Sequence, residues 1–323
     1  MPRPHAPRTR VSTYLSEWMP TNDVTYQRAG YTIGGTDGAG SLITAIDKLA
    51  FPTETKTTLV ATMTFGSSGN FPAGFSNSGV AGYGTDGNQT AIFKIAYATD
   101  AKTTLTATIS PQRYDSTGMA NSGVAGYVAG GQIPSPPYDY LSGIDKVTFS
   151  TDAKSTLSAT LSTIRYQLAG MANSSVAGYF AGGNDGGGVV SGIDKVTFPA
   201  DSKTTLSATL TAGNNLLFAM ANSGVAGYVA GGASPKVDTV DKITFPADTK
   251  STLGTGLSVA RSGATGLADT GVAGYFAGGL EGASTKVSSS DKFAFPSDTR
   301  SVVSNTLTTA SNLHASFADC GVF

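Results

Sequence analysis

Val124-Ala125-Gly126-Tyr127-Val128-Ala129-Gly130-Gly131 decides the fold, because the chain carries this pattern six times. The other copies centre on Tyr31, Tyr83, Tyr179, Tyr228 and Tyr275. The Tyr83 copy is the loosest, with Asp86-Gly87 in place of the glycine pair. Successive tyrosines lie 52, 44, 52, 49 and 47 residues apart. A period near 50 marks stacked structural repeats, each too small to bury its own apolar face. The unit beginning at Ala177 shows how one period is built. A short apolar run ends at Gly182-Gly183, and Ile193 to Phe198 then alternates apolar with polar. Pro199 to Lys203 is a turn, Thr204 to Leu210 alternates again, and Asn214 to Ala221 leads to a hairpin turn at Asn222-Ser223-Gly224. That makes four short strands per unit. No stretch of useful length has helical periodicity.

Six such units predict an all-β fold, a six-bladed β-propeller with four-stranded blades. Glycines let strands near the axis approach closely, and each tyrosine offers a flat surface to the next blade. The chain stops two residues short of a seventh Gly-Tyr, and Ser311–Phe323 matches Arg261–Ala273. The two ends therefore complete one composite blade, with Leu313–Phe323 paired to Ala29–Gly35. This N- and C-terminal strand pairing leaves no open sheet edge. The propeller domain runs over residues 26–323, and residues 1–25 form an extended N-terminal arm.

The order of features resembles the kelch repeat: an Arg (Arg113, Arg165, Arg261), a strand of small residues, an aromatic before Gly-Gly, an acid-bearing strand and turn, then a large apolar residue. Leu59, Leu105, Leu157, Leu206, Leu253 and Val303 stand where that family has Trp, so the neighbouring Tyr or Phe is expected to fill the remaining space. The low-charge, near-identical units further resemble the kelch-like repeats of bacteriophage tail proteins. That resemblance implies a non-enzymatic structural or recognition component of a virus particle, in a tail or capsid accessory. Its partners would be other virion proteins and a host surface receptor or glycan. The alternative is a carbohydrate-binding propeller module, against which stands a single Trp, outside the repeats.

Composition narrows the chemistry. A net charge of −1 argues against nucleic acid or anionic membrane as partner. The N-terminus has no apolar core segment, which fits assembly in a host cytoplasm and residence in a virion. Two histidines, His5 and His314, and one thiol, Cys320, provide no familiar metal or nucleophile set. The expectation is no cofactor, no metal and no enzymatic activity, with His314 in a buried structural role. Acidic-Gly loops at Asp37-Gly38, Asp86-Gly87 and Asp185-Gly186 suit calcium, but also any tight turn. Asp-Lys pairs such as Asp145-Lys146, and turn pairs such as Asp201/Lys203, read as local charges on outer edges.

The hairpins and Pro-Asp turns repeat closely, whereas the segments after Gly-Gly do not. Those variable loops and the fourth-to-first connections emerge on one face, where function on a repeat scaffold concentrates. Candidate interaction residues there are Tyr138, Asp139, Tyr140, Asn184, Asp185, Lys236 and Glu281. A second candidate is the arm, with Arg3, Arg8 and Arg10 among prolines and Tyr14 and Trp18 behind them, read as docking on another chain.

Overall fold

The structure is a computed structural model that describes residues 28–64, 72–86, 90–134, 139–304 and 306–319. The docking-arm residues Arg3, Arg8, Arg10, Tyr14 and Trp18, together with Tyr138 and Cys320, lie outside the described residues. Every described element is a strand. The strands form seven antiparallel sheets, six four-stranded and one three-stranded, where the repeat count predicts six. We number the six larger sheets by their second strands, which carry the tyrosines: Ala29–Asp37, Ala81–Thr85, Ala125–Ala129, Ala177–Ala181, Ala226–Ala230 and Ala273–Ala277.

The seventh sheet has a local cause. In several units the connection into the first strand bridges to the loop after Gly-Gly, as Tyr114 does to Gln132 and Tyr166 to Asn184. Other loops fold back through single bridges, as Gln132–Tyr140 and Asn184–Val189 do, and in sheet 6 the fold-back extends to two bridged pairs. Arg261–Ser262, Leu280–Glu281 and Thr285–Lys286 then make three strands of two residues each.

The first strand of sheet 1 comes from the other end of the chain. Ser311–Ala318 runs antiparallel to Ala29–Asp37, with Gly30 opposite Ala318 and Asp37 opposite Ser311. The other first strands are Gly74–Asn77, Thr117–Asn121, Ala169–Asn173, Phe218–Asn222 and Thr265–Asp269. Each lies against the first strand of the next sheet, and the sixth against the first, so the six surround one axis. Crowding there explains the small residues. A Cβ on Gly118 would sit 2.1 Å from the Gly74 carbonyl oxygen, and one on Gly170 2.3 Å from that of Gly118. Burial falls outward: Ala177–Ala181 is buried throughout, whereas the fourth strand Ala153–Thr160 is exposed or half-buried.

Neighbouring sheets interlock by one repeated device. The glycine before each tyrosine leaves a hole, and a residue of the preceding first strand fills it. Phe317 seats on Gly82, Phe75 on Gly126, Met119 on Gly178, Met171 on Gly227, Met220 on Gly274, and Leu267 on Gly30 across the seam. The tyrosine on the opposite face of the strand meets the following sheet. Tyr127 stacks on Phe198 at 5.2 Å, Tyr179 on Phe245 at 5.0 Å, and Tyr275 on Phe51 across the seam at 5.3 Å. Such pairs add about 0.5–1.5 kcal/mol beyond area burial. Half-buried leucines pack beside these rings.

The turn acids are not the local surface pairs that their spacing suggests. Asp201 accepts from Tyr127 Oη at 2.7 Å and from Lys146 Nζ at 2.6 Å, both from the preceding sheet. Asp100, Asp152, Asp248 and Asp298 do the same for Tyr31/Lys48, Tyr83/Lys94, Tyr179/Lys195 and Tyr228/Lys242. Glu54 takes Tyr275 and Lys292 across the seam. Each lysine also lies over the ring of its cross-strand tyrosine, as Lys146 does over Tyr127 at 5.6 Å. Burial, then the neighbouring carboxylate, holds the Tyr83, Tyr127, Tyr179 and Tyr228 phenols well above the usual range, so they act as neutral donors.

The Asp of each Asp-Lys pair is buried and structural as well. Arg113 bonds Asp145 at 2.9 Å, Arg165 bonds Asp194, and Arg261 bonds Asp291 at 3.1 Å. A hydroxyl residue after the fourth strand also serves this Asp with and without the arginine, as Ser162 serves Asp194 beside Arg165. Thr308 serves Asp47 and Thr211 serves Asp241, each through its backbone N–H and its hydroxyl.

Candidate functional site

Two faces follow from the strand order. On the hairpin face the units lock by identical bonds: Gly123 N–H donates to Asn77 Oδ1, Ser175 to Asn121, Gly224 to Asn173 and Gly271 to Asn222, each at 2.9 Å. The hairpin tips carry exposed valines at equivalent positions: Val80, Val124, Val176, Val225 and Val272. The opposite face carries the loops after Gly-Gly, and there the units differ.

That face places the candidate loop residues in two groups. Tyr140 stacks on Tyr166 at 4.6 Å with the rings 12° from parallel. Tyr166 is bridged to Asn184, and a Cβ on Gly186 would meet the Tyr140 ring at 2.5 Å, so Tyr140, Asn184 and Asp185 share one patch. The Asp139 carbonyl accepts from Ile133 N–H at 2.9 Å beside them. In the second group Lys236 donates to the Gly282 carbonyl, next to Glu281, which pairs with Arg261 at 3.0 Å. Two acids proposed for calcium loops face their own turns instead. Asp37 Oδ1 accepts from Ala39 and Ser41, and Asp185 Oδ1 from Gly187 and Gly188.

Sequence reasoning missed the group nearest the axis. Asp115 precedes the first strand of sheet 3 and is buried, 3% exposed. Its Oδ2 accepts from Gln132 Nε2 at 2.9 Å and from Gln167 Nε2 at 3.0 Å, and Gln167 Oε1 accepts from Asn215 Nδ2 at 2.8 Å. One polar chain thus links sheets 3, 4 and 5 around the axis. Burial pushes the Asp115 carboxyl up to about 7 against the pull of its two amide donors. Asp115, Gln167 and Leu216 occupy equivalent positions and all take positive φ, 58°, 57° and 53°. Non-glycine residues held there store strain, which clusters at functional sites. The signal available in the sequence was a break in the repeat: Asp115 and Gln167 stand where other units have Leu216, Gly263 and Leu313. Beside them an axial cavity of about 80 Å³ is walled by first-strand residues, among them Thr117, Leu168, Phe218 and Ser316.

His314 is buried in the same region, with Nε2 2.6 Å from Ser311 Oγ. Burial lowers it to about 3, so the ring is neutral. No described helix is long and apolar enough to cross a membrane.

No family model matches the chain, and neither does any curated protein. Among solved structures it is similar to that of YjhT, with a TM-score of 0.65 at 14% identity, over 84% of this chain and 96% of that one. At that identity the likeness concerns the fold. It corrects the expectation of a chain without enzymatic activity. That expectation rested on scarce histidine and thiol, whereas a shared fold hosts binding or catalysis according to the groups at its site. Here the axial cavity is lined by the Asp115 carboxyl, the Gln167 amide and hydroxyls such as Thr117 and Ser316.

Proposed function

We propose that the six four-stranded sheets are the blades of a kelch-like propeller, that the small seventh sheet is a rim elaboration of blade 6, and that the protein is a recognition component of a virus particle, in a bacteriophage tail or capsid accessory. One observation carries the recognition role. The residues that differ from unit to unit gather on the loop face, while the hairpin face and the contacts between sheets repeat almost residue for residue. A scaffold whose interlocks are identical places no demand on its loops. Loops that nonetheless stack Tyr140 on Tyr166 and tie Lys236 to Gly282 form an ordered surface rather than slack connections. The low charge and near-identical units support the virion setting, with other virion proteins and a host surface receptor or glycan as partners.

Immunogold labelling of purified virus particles, with antibody raised against the protein, tests the setting. Label on intact particles is expected, and particles free of label overturn it. Tyr140→Ala with Glu281→Ala then tests the face. Particles carrying that variant should adsorb to host cells less well than particles carrying Val124→Ser on the hairpin face, and equal adsorption of the two refutes the assignment.

A further inference from the structure

The axial cavity is a site in its own right. Its space, about 80 Å³ for the centres of water-sized molecules, holds several waters or one small organic group. Much of its wall is apolar, from Pro72, Leu168, Leu217, Phe218 and Ala264. Asp115 stands at its rim, and the groups around Asp115 bring no positive charge. Gln132 and Gln167 are amides, the nearby Tyr166 is a phenol, and His314 on the far wall is buried and neutral. Asp115 Oδ2 has two donors, while Oδ1 has no hydrogen-bond partner among the described residues. A buried carboxylate oxygen without a donor is costly, and a cation reaching it recovers that cost. Gln132 and Gln167, the latter anchored by Asn215, hold the carboxylate through Oδ2, which leaves Oδ1 for a ligand donor once the rim shifts to admit it.

We propose that the axial cavity binds a small primary ammonium group, whose N–H donors reach the Asp115 carboxylate while its short apolar stem lies against Leu168, Leu217 and Phe218. A neutral polyol lacks the charge that the site is short of. A quaternary ammonium has no N–H to donate and is bulkier at the head. The proposal deepens the reading of the loop face by naming what its axial centre takes.

Titration of the full chain with n-propylammonium chloride, followed by calorimetry and by amide NMR shifts, tests it. Saturable binding is expected at pH 8, with shifts at Thr117, Gln167 and Phe218. n-Propanol and n-propyltrimethylammonium should bind at least tenfold more weakly. That comparison uses the unaltered chain, so it stands even if a variant folds poorly. Asp115→Asn should weaken propylammonium at least tenfold while retaining the wild-type amide spectrum outside the cavity. Equal binding of propanol and propylammonium, an unaffected Asp115→Asn, or no saturable binding each overturn the proposal. Because particle labelling does not depend on amines, labelled particles without amine binding would remove this inference and leave the broader reading standing.

Discussion

Replacing Gly126 by alanine should expose how much of the stability resides in the interlock between sheets. The added Cβ would lie 1.9 Å from Phe75 Cδ2 and 2.3 Å from Cε2, about 1.5 Å inside ordinary contact. Phe75 has little freedom to retreat, because its other face stacks on Tyr83 at 5.3 Å, 6° from parallel. Overpacking of this kind costs about 1–3 kcal/mol, and a pinned ring points to the upper end. Phe75→Ala alone should cost about 3–5 kcal/mol through lost burial and the cavity left behind. If the ring truly seats in the glycine's hole, the two changes relieve each other. The new methyl then occupies space that the ring has vacated, and the double variant should be about 1–2 kcal/mol more stable than the sum of the singles. Urea unfolding of the four proteins, with coincident fluorescence and circular dichroism transitions, supplies the cycle. Gly143→Ala is the control, since nothing lies within 4 Å of its added Cβ and its φ is ordinary. It should change stability by less than about 0.5 kcal/mol. Additivity within about 0.5 kcal/mol would refute the interlock.

Truncation after Ala310 removes the strand that pairs with Ala29–Asp37, together with Phe317, which fills the Gly82 hole. The melting temperature should drop and monomers should begin to associate through the bared edge, as light scattering would show; an unchanged melt contradicts closure. Asp201→Ala should cost about 2–4 kcal/mol in urea unfolding, because Tyr127 Oη and Lys146 lose a shared acceptor across sheets, and more than Tyr127→Phe, which removes donor and demand together. Stability against pH should carry two slopes of opposite sign. The folded Asp115 carboxyl is raised to about 7, so the folded state holds its proton longer than the unfolded chain, and stability falls as pH climbs from about 4 to about 7. Folded His314 is lowered to about 3, so stability present above about 6.5 is lost as pH falls towards 3. Asp115→Asn and His314→Gln should each flatten their own slope in unfolding free energies measured across pH 3–8.

What could be read from the sequence follows the range of the interactions. The strands, the tyrosines and the hairpins are local or repeat exactly once per unit, so periodicity shows them. That Ser311–Ala318 completes sheet 1 was legible because one unit lacked the strand that the other end supplied. The partners of the turn acids were not legible. Tyr127 and Asp201 are 74 residues apart, and a carboxylate beside Lys203 looks like half of a surface pair until the next sheet is in place. The knobs were hidden for a related reason. Phe75, Met119 and Leu267 are apolar but differ in identity and shape, and only the glycines that receive them recur. The seventh sheet escaped because it adds one bridged pair to a fold-back that other loops also make, and these loops carry no periodic signal.

Asp115 shows why a repeat scaffold hides its own site. Interlocks of one kind at successive junctions make a repeated residue informative about structure, and they make an unrepeated one look like drift. The test that separates drift from selection for a role is connection. A drifting residue has no reason to find a partner in another unit, because that partner drifts independently. Asp115 and Gln167 are unrepeated, come from different units, and form with Asn215 of a third unit one hydrogen-bonded chain around the axis. The Tyr140–Tyr166 stack joins one further unrepeated residue, Tyr140, to the next unit, where Tyr166 has the counterpart Tyr114. On the hairpin face the junction bonds repeat, and there the exposed valines stand at the same position in five units. Differences that are coupled on one face, beside sameness on the other, are the ground on which the proposed site at the axial end of the loop face rests.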